Sequence, residues 1–185
     1  MDNKQEYEAL RSEIIYHNQI SSKCQSLVYS ITTAIFTFAF TQPEPLIFLI
    51  PVIVILPISL IDMRAVSDML RIGAYIKVFL ENKTPHWETR LYQYDRTYSL
   101  IENKKPHIQY YILTLLTCLI LFFIRLDYSL SNNCFFWIRI IIALSLVTYS
   151  VIKIKIQQKQ YVEKKSEFLR KWEFIKSLES QQYDK

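Results

Sequence analysis

Two stretches of the chain, 27–61 and 110–152, are almost continuously apolar. The segments around them mix apolar positions at helical spacing with charged ones. The first stretch reads LVYSITTAIFTFAF at 27–40, then TQPEP at 41–45, then LIFLIPVIVILPISLI at 46–61. Two prolines and a carboxylate between two apolar runs predict a tight helical hairpin, with Pro45 in the first turn of its second arm. Sixteen residues rise about 24 Å against a hydrocarbon core of about 30 Å, so each arm is short for a span. The first arm is expected to begin near Cys24, with Lys23 reaching the headgroups. Pro51 and Pro57 each remove a backbone donor, and kinks are expected at both.

The second stretch reads YYILTLLTCLILFFIRL at 110–126 and FFWIRIIIALSLVTYSVI at 135–152, joined by DYSLSNNC. Tyr110 and Tyr111, and then Phe135, Phe136 and Trp137, stand where interfacial aromatic belts form. Runs apolar on every face need either a large covering shell or lipid. The rest of the chain is mostly polar, which favours lipid. The expected fold is an all-α integral membrane protein of two transmembrane hairpins, four spans, with long cytoplasmic helical extensions.

Charge sets the expected orientation. Lys and Arg number three in 1–26, none in 41–45, eight in 62–109 and nine in 153–185. The second hairpin holds only Arg125 and Arg139, both near its turn. The positive-inside bias then places both termini and the middle segment in the cytoplasm. The expected organisation is a cytoplasmic N-terminal helix at 1–26, hairpin one at 27–61, a cytoplasmic helical segment at 62–109, hairpin two at 110–152 and a C-terminal amphipathic helix at 153–185. No charged-then-apolar start with a small-residue cleavage site is visible, so the first apolar segment is expected to stay as an anchor.

The extensions carry stripes of their own. Tyr7, Leu10, Ile14, His17, Ser21 and Cys24 lead into the first span. Met63, Val66, Leu70, Gly73, Ile76 and Leu80 continue the second, giving a helix of about 36 residues, with Arg64, Asp68 and Arg71 spaced for ion pairing on another face. Thr84 and Pro85 predict the start of a further helix whose Trp87, Leu91, Tyr94, Tyr98 and Ile101 share a face. Val151, Ile154, Gln158, Tyr161, Lys165, Phe168, Trp172 and Ile175 predict a heptad-like stripe extending the fourth span into the tail. A short repeat, ENKTPH at 81–86 and ENKKPH at 102–107, falls where helices should stop.

Composition narrows the chemistry. Gly73 is the only glycine, which excludes a glycine-rich phosphate loop and a GxxxG pairing motif. Cys24, Cys118 and Cys134 lie in different segments and read as apolar filler rather than disulfides or metal ligands. His86 and His107 bracket the 87–101 helix, about 22 Å apart, too far to share a metal. No enzymatic activity, cofactor or metal is expected, and no carboxylate is placed deep in a span, which argues against a proton pump or coupled transporter.

Three groups of residues are candidates for function. Ser22, Ser26, Ser30, Thr33 and Thr37 put hydroxyls on one face of the first span, either to pack helices closely or to line a water path. Phe168, Trp172 and Ile175 are the apolar face of the tail, a candidate interface with a partner or another copy. Lys164, Lys165, Arg170 and Lys171, among aromatics, form a basic patch for lipid or a partner. Interleaved Glu163, Glu167 and Glu173 argue against direct nucleic-acid binding. Arg139, four residues inside the fourth span, is expected to snorkel to the outer headgroups.

The motifs YEALRSEI, RIGAYIKVFLE and HWETRL, in this four-span layout, are similar to small bacterial membrane proteins found beside anti-phage defence genes. The layout resembles the membrane subunits of the Kiwa defence system, and also retron-associated membrane effectors, although those are described with two spans. The resemblance carries no functional residue across. It implies a multi-pass protein of the bacterial inner membrane that senses or answers phage infection, and Kiwa kinship implies a cytoplasmic protein partner encoded nearby. The function expected is an oligomeric scaffold or sensor docking that partner through its helical extensions. The alternative is a pore-forming effector that depolarises the inner membrane.

Overall fold

The computed structural model describes residues 3–80, 106–128, 133–161 and 165–183. The expected 87–101 helix, His86, Lys164 and the first copy of the repeat lie outside the described residues. Within them 96% are helical, in five α-helices: α1 (Asn3–Thr41), α2 (Ile50–Tyr75), α3 (Pro106–Arg125), α4 (Cys134–Tyr161) and α5 (Lys165–Tyr183). Four runs are long and apolar enough to cross a membrane: Lys4–Thr41, Pro45–Leu80, Ile108–Arg125 and Cys134–Lys159. These four candidate spans point to a multi-pass membrane protein.

The N-terminal stripe and the first span form one helix, α1. A 3-10 turn, Pro45–Leu49, precedes α2, and a π turn, Ile76–Leu80, follows it. Glu44 caps the 3-10 turn, its Oε1 accepting the Leu46 amide at 3.4 Å, with Pro45 in the first turn as its fixed φ favours. Pro51 differs from expectation. It sits in the first turn of α2, at the junction with the 3-10 turn, so it marks where the helix type changes. Pro57 alone lies inside α2. The expected continuation of the fourth span into the tail passes through residues 162–164, which lie outside the described residues; α4 is described to Tyr161 and α5 from Lys165.

The chain divides into two compact units. Unit 2 takes Ser22–Asp62 and Pro106–Lys159; unit 1 takes Met1–Ser21, Met63–Lys105 and Gln160–Lys185.

Unit 2 is built from four buried stripes at spacings of mostly three and four. They are Cys24, Val28, Thr32 and Ala39 on α1; Val52, Ile55, Ser59 and Asp62 on α2; Ile108, Tyr111, Leu115, Cys118 and Phe122 on α3; and Ala143, Val147, Ser150 and Ile154 on α4. Lipid tails are as apolar as these side chains, so close packing and hydrogen bonds, rather than water exclusion, hold such helices together. At one end Phe48 and Leu49 join Ala39, Phe122, Leu126, Phe136 and Ala143 in one cluster, with the rings of Phe36 and Phe40 against Phe48. There Arg125 donates to the Phe40 carbonyl at 2.7 Å, satisfying a helix-end acceptor of α1, and lies over the Phe40 ring.

At the same end the Arg139 guanidinium donates to Glu44 Oε2 at 2.9 Å. Arg139 therefore pairs with a carboxylate of its own chain, where the sequence suggested contact with headgroups, with a pore mouth or partner as the alternative. Both side chains are more than a third exposed, so the pair is expected to contribute little. A double-mutant cycle of Glu44→Ala and Arg139→Ala, read by thermal unfolding in detergent, should give a coupling below about 1 kcal/mol. A larger coupling would make the pair a structural clasp.

Unit 1 closes its own core. Ile72, Ile76 and Leu80 pack with Tyr7, Leu10 and Ile14 of α1. Ala74 and Val78 pack with Phe168 and Leu169 of α5, flanked by Leu70, Phe79 and Trp172. The 72–80 stretch is thus covered by two helices, which explains why apolar residues surround it on several faces. A π turn shifts the hydrogen-bond ladder and leaves carbonyls for outside donors. Trp172 Nε1 donates to the Arg71 carbonyl at 3.2 Å, and Lys176 Nζ donates to that of Val78 at 2.7 Å. Tyr75 donates its hydroxyl to Glu6 at 2.7 Å, and its ring packs on Phe79 and Trp172. Asp68 pairs with Arg71 at 3.0 Å, as the spacing predicts.

A candidate functional site at a buried carboxylate

The α2 stripe ends on Asp62, the first residue that hydropathy alone places beyond the second span. Its side chain is fully buried, and among the described residues it is the only buried charged group. The three- and four-residue spacing from Val52 carries the buried face one turn past Ile61, and so carries the carboxylate inward. On α3 the same logic brings Tyr111 inward, also fully buried. The Tyr111 hydroxyl donates to Asp62 Oδ2 at 2.9 Å. Asp62 takes part in further interactions as well.

One turn earlier on that face of α2, Ser59 donates to its own helix at Leu56 and lies 3.5 Å from Gln157 Oε1 of α4. On α1 the buried Cys24 lies at the same end of unit 2, two residues from where that helix enters it. Tyr110, beside Tyr111, puts its ring against Tyr29 of α1. Four helices thus bring polar side chains together in one layer of an otherwise apolar unit. Such a layer has one good geometry, whereas apolar side chains slide past one another at small cost. Ionisable residues inside membrane bundles mark function more often than filler.

No protein-family profile, curated protein or solved structure matches the chain.

The residues singled out from the sequence fall elsewhere. Ser22, Ser26, Ser30, Thr33 and Thr37 are all exposed, on the side of α1 away from the Cys24, Val28, Thr32 and Ala39 stripe. Within one chain they neither pack the bundle nor line its interior. The Thr37 hydroxyl bonds its own helix, donating to the Thr33 carbonyl at 2.9 Å. Phe168 is buried and Trp172 half-buried against α2 of the same chain, while Ile175 is exposed. The three do not share a free face. The exposed apolar face of α5 is instead Phe174, Ile175 and Leu178. Arg170 and Lys171 are exposed beside it, and the side chain of Lys165 is not described. Asp62 was missed, and Tyr111, expected in an interfacial aromatic belt, is instead fully buried and bonded to Asp62. The signal for Asp62 was helical spacing continued past the apparent end of its apolar run, and that for Tyr111 was its three- and four-residue spacing with Ile108, Leu115 and Cys118.

Proposed function

We propose that the chain is an oligomeric scaffold or sensor of the bacterial inner membrane, working in anti-phage defence. In this reading its spans form two hairpins and both termini are cytoplasmic. Unit 1 is the cytoplasmic platform that docks a protein partner encoded nearby. The supporting observation is the folded core of unit 1. Segments flanking the spans close a core of their own, which membrane insertion does not require, and still display Phe174, Ile175 and Leu178 beside Arg170 and Lys171. Apolar anchors with a basic rim suit an apolar patch ringed by acidic side chains on a partner. The defence setting rests on the resemblance of the sequence motifs and layout. Oligomer contacts are assigned to the outward hydroxyl face of α1, since small hydroxyl residues let helices of neighbouring copies approach closely.

Changing Phe174, Ile175 and Leu178 to Ser tests the platform. Cells carrying the gene with its neighbours should lose phage protection by about tenfold or more in plating efficiency, with membrane insertion unchanged. Full protection would remove this face from the function.

The pore reading keeps one supporting feature, the same exposed hydroxyls, which would line a water path only between copies. Thr33→Val with Thr37→Val conserves shape and deletes both hydroxyls. A packing face survives that change, and a water path dewets. The double variant is expected to assemble and protect cells, with no depolarisation by a voltage-sensitive dye. Depolarisation on infection in the wild type, abolished in an assembled double variant, would replace the scaffold by the pore.

A further inference from the structure

A carboxylate enclosed by apolar side chains must be hydrogen-bonded to be tolerated. Within unit 2 that requirement is met partly across helices, by Tyr111 of α3. Ser150 bonds to its own helix at Leu146, and Ser59 bonds at 2.8 Å to its own helix at Leu56 and at a longer 3.5 Å to Gln157 of α4. The contact of Tyr111 with Asp62 is between helices and short, at 2.9 Å. It sets the rotation of α2 relative to α3, and Ser59, one turn away, approaches Gln157 of α4. All these residues lie at the same end of unit 2, where α1 and α3 enter it and α2 and α4 leave it.

We infer that the hydrogen bond from Tyr111 to Asp62 is a conformational latch of unit 2, holding closed the end of the bundle where Cys24 lies. The apolar layers beyond it, with Ile55, Leu115, Cys118 and Phe122, stay packed when the latch is released. Hydrogen bonds between membrane helices are individually modest, so the latch opens and closes without unfolding the unit. Removal of the donor alone takes one inter-helix hydrogen bond from a carboxylate in apolar surroundings, and the end of the bundle then opens to bring water to it. The inference is independent of the defence role and of any partner.

The three cysteines report on it. Cys24 is buried at the latch, Cys118 is buried in the apolar layers, and Cys134 is exposed. Purified full-length protein in lipid nanodiscs is treated with N-ethylmaleimide, and each thiol is followed by mass spectrometry. In the wild type Cys134 should react fast, and Cys24 and Cys118 slowly. Tyr111→Phe and Asp62→Ala should each speed Cys24 by about tenfold or more while Cys118 stays slow. Asp62→Asn keeps an acceptor for the tyrosine and should stay near the wild-type rate. An unchanged Cys24 in both opening variants would overturn the latch. So would Cys24 and Cys118 rising together, which is general loosening, or Asp62→Asn opening as fully as Asp62→Ala.

Discussion

Truncating Phe168 and Trp172 together to alanine is expected to unfold unit 1 while the protein still inserts in the membrane. Phe168 is buried against Ala74 and Val78, and Trp172 joins Tyr75 and Phe79 in an aromatic cluster while its indole N–H satisfies a carbonyl of α2. Deleting a large core aromatic costs about 3–5 kcal/mol, with the half-buried Trp172 near the lower end. Two such losses, about 6–10 kcal/mol together, are comparable with the total of about 5–15 kcal/mol that stabilises a whole domain. Insertion depends on the apolar spans and should be untouched. Limited proteolysis of membranes should show α5 cut rapidly in the double variant and slowly in the wild type. The variant with Phe174, Ile175 and Leu178 changed to Ser should keep wild-type resistance, because those side chains point away from the core. Equal resistance in the truncated and wild-type proteins would mean that the contacts of α5 on α2 contribute little.

The contrast shows how far the tail was legible. Its apolar positions were plain in the sequence, and so was their helical spacing. What the spacing did not reveal is that α5 has two apolar faces. The heptad-like reading joined Phe168, Trp172 and Ile175 into one stripe. The structure turns Phe168, Leu169 and Trp172 toward α2 and leaves Phe174, Ile175 and Leu178 outside. A helix with apolar residues at two angles fits either register, and only the shape of the neighbouring helix chooses. Here Phe168 and Trp172 pack where α2 presents the small side chain of Ala74, next to the π turn at Ile76–Leu80. That packing is not visible one segment at a time.

The spans were more legible than the site. Long apolar runs determine helices almost by themselves, because unpaired backbone groups are not tolerated in lipid. Which side of a helix faces inward depends on its neighbours. The hydroxyl residues of α1, expected to pack helices or line a water path, are all exposed in the single chain. Asp62 was passed over because hydropathy ends the span at Ile61, and a carboxylate after an apolar run reads as the first solvated residue. Its burial follows from the register of Val52, Ile55 and Ser59 together with the reach of Tyr111 from another helix.

Accessibility from outside the cell should divide the chain sharply. The proposed topology puts both hairpin turns in the periplasm, so an impermeant maleimide applied to intact cells should label Cys at position 43 and the native, exposed Cys134. It should not label Cys at positions 12 or 180 until the cells are permeabilised. The expectation rests on charge. The 41–45 turn holds no Lys or Arg, whereas 62–109 and 153–185 hold eight and nine. Lys and Arg near span ends are retained on the cytoplasmic side. The α3 span fits this arrangement in length: its 20 residues rise about 30 Å, the thickness of the hydrocarbon core. The signal should be all or none at each site, since an impermeant reagent either meets a thiol or is separated from it by the bilayer. Labelling of position 180 in intact cells would place unit 1 outside. It would then have no access to a cytoplasmic partner, and the proposed scaffold would fall with the topology.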